Sequence, residues 1–428
     1  MSSFNDVIGY EEEKKVLLRV CDVLKNVEKY RRLGAKMPQS ILLYGPPGTG
    51  KTTLAKAFIA ESGRACIVCR KDKPNGNFVE SIKKCFDDAV ACAPSILFLD
   101  DVDKFAENAE DSSKNKEEFI VIQSCMEECK GKDVFVFATA NNEEYLPKSL
   151  VRAGRFGHKI KINLPYKADA IKIFEHYLKD KNVSKSIKAE DIAALVQRNS
   201  CAFLEEAVNS AIVYAVYDGR EQIELCDMKN AVMDMHHGKL LNRSVDEATE
   251  RRIAYHEAGH ATVALALGVN VNVISIEQRE ECSGFCTMDE KELEKQTLRD
   301  FENVVTYTLG AKATTEHYFG ESDLGCGTDM DNIIYLVTKT VSECGLRGIE
   351  HISSRYRFST EGHNSDVLRE SKEYIHERYL KAREIVAVNG PFIDALVSEL
   401  LKKKVLLVSE IDEIQKRYPI VKPNKPLQ

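Results

Sequence analysis

The first 165 residues alternate short apolar runs with segments of helical periodicity. Three of the runs are four or five residues long and are bounded by Gly, Pro, Asp or Asn: Ile41–Tyr44, Ser95–Leu99 and Val134–Ala138. Runs of this kind are typical of strands that are buried on both faces. Because helical segments separate them, the pattern predicts an α/β domain with a parallel sheet and helices on both faces.

The pattern changes after Pro165, where the strand signals stop. Phe203 to Val216 carries apolar residues at i, i+4 spacing, as expected of an amphipathic helix. Beyond residue 248 the pattern is mostly helical, with a short strand pair near 273–277 and 284–288. The predicted organisation is an α/β domain (1–165), a helical lid (166–237), a linker (238–247), a mainly α-helical domain (248–418) and a flexible Pro- and Lys-rich tail (419–428).

A phosphate-binding motif directly follows the first predicted strand. The pattern G-x-x-x-x-G-K-[ST] is present, and a predicted helix, Thr53 to Glu61, comes next. In this context backbone N–H groups and the helix N-terminus bind phosphates, the lysine reaches the β- and γ-phosphates, and the final threonine ligates Mg²⁺. The candidate ATP- and Mg²⁺-binding residues are Gly45, Pro46, Pro47, Gly48, Thr49, Gly50, Lys51 and Thr52.

Polar residues end the next two predicted strands. Asp100 is placed to hold Mg²⁺, and Asp101 is placed to polarise the attacking water. Asn141 ends the third strand, where an amide can orient the water or the γ-phosphate. Arg152 and Arg155 follow; an exposed arginine pair is usually a solvated surface, but this order of signals favours stabilisation of the γ-phosphate of a neighbouring subunit.

A metal-binding pattern lies in the second half of the chain. His256 and His260 stand four residues apart within a helical run from Arg251 to Leu267, so both imidazoles lie on one face and can bind one Zn²⁺. Glu257 lies beside them and can act as the general base on a water whose pKa the metal lowers toward about 7. The pattern H-E-x-x-H also arises by chance, but two histidines on a buried face otherwise need separate partners.

A third zinc ligand is required, and no histidine or glutamate follows within the next turns. The best candidate is Asp329, at the start of a predicted helix that Gly345 would end. Asp331 and Asp323 are weaker alternatives. An aspartate at a helix N-terminus also interacts favourably with the helix dipole, so periodicity alone leaves the choice open.

Composition narrows the class of protein. The net charge of −7 gives no basic surplus for nucleic-acid binding, so no nucleic-acid partner is expected. The 13 cysteines are scattered rather than arranged as a disulfide framework, which favours reduced thiols in a cytoplasm. No signal peptide and no run of 18 apolar residues is present, so the chain is expected to be soluble as given.

Several strings together resemble the FtsH family of AAA+ zinc metalloproteases over nearly the whole chain. Besides the phosphate loop they are Tyr30 to Pro38, Arg152 to Phe156, Ile253 to His260, and Leu309 to Lys312 followed by Phe319-Gly320. The combination is highly specific, since no single motif carries it.

The resemblance implies a homohexameric ring that binds ATP at its subunit interfaces, threads unfolded or damaged proteins through a pore and cuts them at zinc sites. It matches Asp329 to the family's acidic zinc ligand and Asn141 to its γ-phosphate sensor. Arg152 and Arg155 match two arginines that act across the interface. Val7, Ile8 and Gly9 lie in the segment that contacts adenine, and the strand near Gly284 would pair with substrate.

Three features depart from the family pattern. Family members usually begin with membrane-spanning helices, so the chain is expected to be a soluble variant or a truncated form. The usual Asp-Glu reads Asp100-Asp101, one methylene shorter, which predicts slower ATP hydrolysis. The pore loop lacks its usual aromatic residue; Pro74 stands there, and Phe78 is the candidate to replace it.

The favoured function is therefore an ATP-dependent zinc endopeptidase of low sequence specificity. One alternative is an AAA+ remodelling ATPase without proteolysis, against which the intact H-E-x-x-H speaks. The other is a zinc peptidase whose ATPase ring hydrolyses nucleotide only weakly, which Asp101 keeps open.

Overall fold

The computed structural model describes residues 3–71, 78–105, 114–185, 187–196, 198–241, 245–289, 297–348 and 361–423. The chain forms two compact units. The first comprises Met1–Ser184 and Val196–Met228, and the second comprises Lys185–Leu195 and Lys229–Gln428.

The first unit is built on a parallel sheet of five strands in the described part of the chain. The order across the sheet is β2-β3-β4-β1-β5, so the phosphate-loop strand β1 lies between β4 and β5. Every described pairing in this sheet is parallel. The strands are β1 (Ser40–Tyr44), β2 (Ala65–Arg70), β3 (Ser95–Asp100), β4 (Val134–Ala140) and β5 (Lys159–Lys161).

Helices cover both faces of this sheet, as the alternation of side chains along β4 shows. Phe135 and Phe137 contact Phe58 of α3 on one face, with ring centroids 5.6 and 4.8 Å apart. Val134 and Val136 point the other way and lie in a core cluster with residues of α4 and α5. The helices of the unit are α1 (Glu11–Lys25), α2 (Val27–Arg31), α3 (Lys51–Ser62), α4 (Phe78–Ala91), α5 (Lys114–Glu128), α6 (Lys167–Leu178) and α8 (Cys201–Tyr217).

The second unit is mainly helical. A small antiparallel sheet of order β7-β6-β8 lies against its helices, with β6 at Val271–Ser275, β7 at Phe285–Met288 and β8 at Val405–Leu407. Helix α9 begins in the first unit and ends in the second. The helices are α7 (Ala189–Leu195), α9 (Leu225–His237), α10 (Glu247–Ala266), α11 (Leu298–Phe319), α12 (Gly327–Cys344), α13 (Glu361–Val388), α14 (Gly390–Lys403) and α15 (Val408–Arg417).

Two glycines allow α10 and α11 to cross at very short range. A Cβ atom on Gly259 of α10 would lie 2.6 Å from the carbonyl oxygen of Gly310 and 2.5 Å from Thr314 Oγ1. A Cβ on Gly310 would lie 2.6 Å from the Gly259 carbonyl oxygen. Both contacts are too short for a real methyl group, so only glycine fits at either position.

The structure confirms the predicted fold class and corrects its details. The three predicted strands are present, and the edge strands β2, β5 and β8 were missed. Helix α7 is held in the second unit, where Asp191 accepts hydrogen bonds from the N–H (3.2 Å) and Oγ (3.0 Å) of Ser409. The predicted domain boundaries stay a prediction.

The start of the predicted flexible tail is docked rather than frayed. Val421 donates its N–H to Asn389 Oδ1 (2.8 Å) and accepts from Asn389 Nδ2 (3.1 Å). Ile420 packs against the core of the second unit. None of the described helices is long and apolar enough to cross a membrane.

The glycine crossing predicts that Gly310→Ala destabilises the second unit. The added methyl group must push α10 and α11 apart, and overpacking of this kind costs roughly 1–3 kcal/mol. Thermal unfolding followed by circular dichroism should show the midpoint of one transition lowered by several degrees. Gly327→Ala is the matched control, because Gly327 has helical φ (−58°) and no atom within 4 Å of its added Cβ. Equal midpoints for the two variants would contradict the prediction.

Candidate functional site

The phosphate loop joins β1 to α3 and surrounds a buried lysine. Lys51 Nζ donates to the carbonyl oxygens of Gly45 and Pro46 (both 2.8 Å) and to Asn141 Oδ1 (3.0 Å). Burial lowers the pKa of Lys51, although nearby aspartates act in the opposite direction. A Cβ on Gly45 would lie 1.9 Å from the Ile162 carbonyl oxygen, so the loop requires glycine there. The ammonium group is therefore held at the centre of the loop.

The carboxyl ends of β3 and β4 bring the expected magnesium ligands together. Asp100 Oδ1 accepts hydrogen bonds from Thr52 Oγ1 (3.1 Å) and Thr139 Oγ1 (2.8 Å). A hydroxyl and a carboxylate at hydrogen-bond distance are the oxygen ligands that Mg²⁺ uses in phosphate sites. Lys51, Thr52, Asp100 and Asn141 thus form one cluster.

Asp101 lies at the same edge with a constrained backbone. Its φ of 55° is left-handed, and its N–H donates to Thr139 Oγ1 (2.9 Å). Its carboxylate is paired with Lys104 Nζ (2.8 Å). Before Asp101 can act on a water, this ion pair must open or turn.

Asp103 is a functional candidate that the sequence reasoning missed. It is 1 % exposed, and its Oδ2 accepts the N–H of Asn141 (2.8 Å). It thereby orients the backbone that carries the Asn141 side chain. Asp103 follows the end of β3 by three residues, and this position was the signal in the sequence that could have identified it as a functional candidate.

The segment Val7–Gly9 is connected to the phosphate loop through neighbouring side chains. The Val7 carbonyl oxygen accepts a hydrogen bond from Lys14 Nζ (2.8 Å). The next residue, Tyr10, lies 3.6 Å from Cys201 Sγ, which in turn donates to the Thr49 carbonyl oxygen (3.7 Å). The segment that is predicted to contact adenine is therefore linked to the phosphate loop through the side chains of Tyr10 and Cys201.

The two candidate arginines differ in availability. Arg152 is exposed. Arg155 donates through Nη1 to Gln123 Oε1 (2.5 Å) and to the Ser149 carbonyl oxygen (2.7 Å), and its Nε lies 3.5 Å from Glu127. Within a single chain, only Arg152 is free to reach outward.

The candidate pore aromatic is a packing residue. The Phe78 ring contacts Phe105 edge-on, with centroids 4.7 Å apart, and lies against the core cluster of the first unit. This contact speaks against the predicted gripping role. Residues 72–77, with Pro74, lie outside the described residues.

The metal-ligand candidates converge in the second unit. His256 and His260 project from α10, and Asp329 Oδ2 lies 3.2 and 3.3 Å from their Nε2 atoms. One ligand atom from each of the three residues lies within 4.8 Å of the others. Burial raises the pKa of Asp329, but hydrogen bonds from both histidines outweigh it and hold that pKa well below its usual range. Among the predicted alternatives, Asp329 is the aspartate that reaches the histidines.

A hydrogen bond on the far side of His260 fits the site to a metal ion. His260 Nδ1 lies 3.0 Å from the Tyr307 carbonyl oxygen of α11. Because a carbonyl can only accept, Nδ1 carries a proton, and Nε2 is the nitrogen that would bind a metal in place of its hydrogen bond to Asp329. Two such imidazoles and a carboxylate are a donor set that zinc uses with an open fourth position.

Glu257 is buried between the metal ligands and strand β7. It is 6 % exposed, and burial raises the pKa of its carboxyl while His260 and His256 act in the opposite direction. A Cβ on Gly284 would lie 2.9 Å from Glu257 Oε1, so the strand's backbone approaches the carboxylate closely. The backbone that enters β7 therefore lies beside Glu257.

Comparisons with known proteins match both halves of the chain. The model of the ATPase family associated with various cellular activities (AAA) matches residues 41–164, and that of peptidase family M41 matches residues 243–414. The ATP-dependent zinc metalloproteases FtsH of Mycoplasma pneumoniae and Mycoplasma genitalium are each 31 % identical over 96 % of this chain and 62 % of their own length. An FtsH of Thermoanaerobacter sp. is 29 % identical over 96 % of this chain and 82 % of its own length.

The two halves of the chain thus match an AAA ATPase model and an M41 peptidase model, and we call the first unit the ATPase unit and the second the peptidase unit. Over nearly its whole length the chain is similar to FtsH proteins. It spans 62 % of the length of the two Mycoplasma relatives.

The ligand set predicts that Asp329→Asn weakens Zn²⁺ binding by at least roughly tenfold, because an amide oxygen lacks the carboxylate's charge. Titration of the protein against a chromogenic chelator measures the affinity. Asp331→Asn is the matched control, since Asp331 is exposed on the same helix. Loss of affinity in both variants, or in neither, would show that Asp329 is not a ligand.

Proposed function

We propose that the chain is an ATP-dependent zinc endopeptidase that unfolds, translocates and degrades proteins. The observation that carries the proposal is the convergence of His256, His260 and Asp329 beside a buried Glu257. A phosphate site with its lysine, threonine and aspartate in one cluster supports the ATP-dependent part.

The residues of the peptidase unit have separable roles in this proposal. His256, His260 and Asp329 would hold the zinc, which supplies a Lewis acid and lowers the pKa of a water toward about 7. Glu257 accepts a proton at its carboxylate and later returns it to the leaving amine. Burial raises the pKa of this carboxyl, which increases its affinity for the proton that it accepts.

Strand β7 supports a substrate class of unfolded polypeptide. Among the residues that the structure describes it pairs with β6 on one side only, so its other edge offers backbone N–H and C=O groups. Main-chain pairing binds an extended segment of almost any sequence. Folded proteins do not present such a segment, so degradation of folded or damaged proteins would require the ATPase unit.

The phosphate cluster supports ATP and Mg²⁺ as cofactors. Lys51 and the loop amides would bind the phosphates, and Thr52 with Asp100 would hold Mg²⁺. Asn141, fixed by Asp103, would orient the γ-phosphate or the water, and Asp101 would polarise that water. Val7, Ile8 and Gly9 would line the adenine side.

A ring assembly is part of the proposal. Exposed Arg152 would reach the γ-phosphate of a neighbouring subunit, and Arg155 would do so only after leaving Gln123 and Ser149. The assembly that we propose is a homohexamer. All thirteen cysteines are free thiols, which is compatible with the reducing cytoplasm.

The central test measures degradation of a labelled, loosely folded protein in the presence of Zn²⁺. ATP, a non-hydrolysable analogue and no nucleotide are compared. We expect cleavage only with hydrolysable ATP, and none with Glu257→Gln. Glu247→Gln, an exposed change of the same kind on the same helix, should keep full activity.

Other outcomes assign other functions. Glu257-dependent cleavage at the same rate with and without hydrolysable ATP would indicate a zinc peptidase whose ATPase unit has only a structural role. ATP hydrolysis without cleavage under any condition would indicate a remodelling ATPase.

A second candidate, a zinc peptidase with weak ATP hydrolysis, is favoured by the ion pair of Asp101 with Lys104. Asp101→Glu should raise steady-state ATP hydrolysis severalfold, because the added methylene extends the carboxylate toward the water. Phosphate release measures the rate, with Lys51→Ala as the blank. An unchanged or lower rate would show that the shorter side chain is not limiting.

A further inference from the structure

A buried arginine lies in the turn between strands β6 and β7 (residues 276–284). It has no role in the proposed binding of zinc, ATP or substrate. Arg279 is 3 % exposed. Its Nη1 donates to Asp234 Oδ1 (2.5 Å) and to the Gly238 carbonyl oxygen (3.1 Å), at the end of helix α9. Its Nε and Nη2 donate to Glu277 Oε2 (3.0 and 2.7 Å) in its own turn. One guanidinium therefore ties the turn to the helix.

The main chain strengthens the same connection. The Leu241 N–H donates to the Gln278 carbonyl oxygen (2.8 Å), and the Glu281 N–H donates to the His237 carbonyl oxygen (3.1 Å). The residues after α9 thus run antiparallel to the turn, with a bridge between Leu240 and Arg279. The turn is held by side chain and backbone together.

The other end of the turn reaches the candidate catalytic carboxylate. The Arg279 N–H donates to the Cys282 carbonyl oxygen (2.8 Å), which closes the turn two residues before Gly284 and its close approach to Glu257. The next residue, Phe285, stacks on His237 of α9 with ring centroids 4.0 Å apart. Burial, with the neighbouring His236 and Arg279, lowers the pKa of His237 to about 4, so a neutral ring stacks there near pH 7.

Strand β7 needs such support because its own pairing is weak. It is four residues long, it is an edge strand, and its pairing with β6 contains a register shift between Val271 and Val273. Short, irregular edges are poorly fixed without further contacts.

We propose that Arg279 is a positioning residue that fixes strand β7 beside Glu257 by tying the preceding turn to the end of helix α9. The inference rests on the proposed peptidase function, because it assigns β7 as the strand that binds substrate.

The first test measures order in strand β7 without activity. Hydrogen exchange of the full chain should show faster exchange at the amides of Phe285–Met288 in Arg279→Ala. Strand β8 lies on the opposite side of β6 and should keep its wild-type exchange. Unchanged exchange in β7, or equal acceleration in β7 and β8, would overturn the proposal.

The second test separates binding from chemistry with a short fluorogenic peptide, zinc and ATP. Arg279→Ala should raise KM roughly tenfold, with kcat, zinc content and ATP hydrolysis within about twofold of wild type, because a displaced edge loses ground-state binding. Arg279→Lys keeps the charge but cannot bridge both partners, so its KM should be intermediate. Arg369→Ala, which removes an exposed arginine paired with Asp366, is the control.

Asp234→Asn guards against a folding defect in the arginine variants, because Asp234 is partly exposed and lies in the helix rather than in the turn. Asp234→Asn should also raise KM. The double variant with Arg279→Ala should show little further increase in KM, because both substitutions remove the same contact between Arg279 and Asp234. Wild-type KM in both single variants would overturn the proposal. Absence of Glu257-dependent cleavage in the unchanged chain would instead mark failure of the peptidase function, and of this inference with it.

Discussion

The peptidase unit depends on the close crossing of helices α10 and α11. Gly259 and Gly310 bring the two backbones so near that neither position has room for a methyl group. The same approach places the Tyr307 carbonyl oxygen 3.0 Å from His260 Nδ1. The crossing thus supplies the hydrogen bond that orients the His260 ring with Nε2 toward Asp329.

In the ATPase unit, strands rather than helices bring the residues of the site together. Residues from three distant segments meet because the parallel strands β1, β3 and β4 all end at one edge of the sheet. Thr52 follows β1, Asp100 ends β3, and Asn141 follows β4. Hydrogen bonds from Thr139 and to Asp103 then fix the side chains that the sheet has brought together.

Two buried cations of the described residues are held by several hydrogen bonds each. Lys51 donates three hydrogen bonds within the phosphate loop, and Arg279 is shared between Asp234 and Glu277. Glu257 differs from both, because burial raises the pKa of its carboxyl while His260 and His256 act in the opposite direction.

The sequence predicted the elements whose burial is uniform. Strands β1, β3 and β4 lie inside the sheet, so their apolar runs are continuous and easy to recognise. Strands β2 and β5 form the edges of the same sheet and carry charged or exposed residues, which removes that signal. The packing of Phe78 against Phe105 could not be predicted for a related reason: the sequence around an aromatic residue near a loop does not show whether its ring packs inward or points outward.

The sequence by itself determined the local chemistry: the phosphate loop after β1, and the histidine pair with Glu257 on one helical face. These signals lie within a single turn or loop, where backbone geometry sets the spacing. Only the tertiary structure decided the partners that come from other segments, namely Asp329, the Tyr307 carbonyl, Asp103 and the turn around Arg279. Such contacts depend on how elements far apart in the chain pack together, and the periodicity of hydrophobic residues does not report this packing.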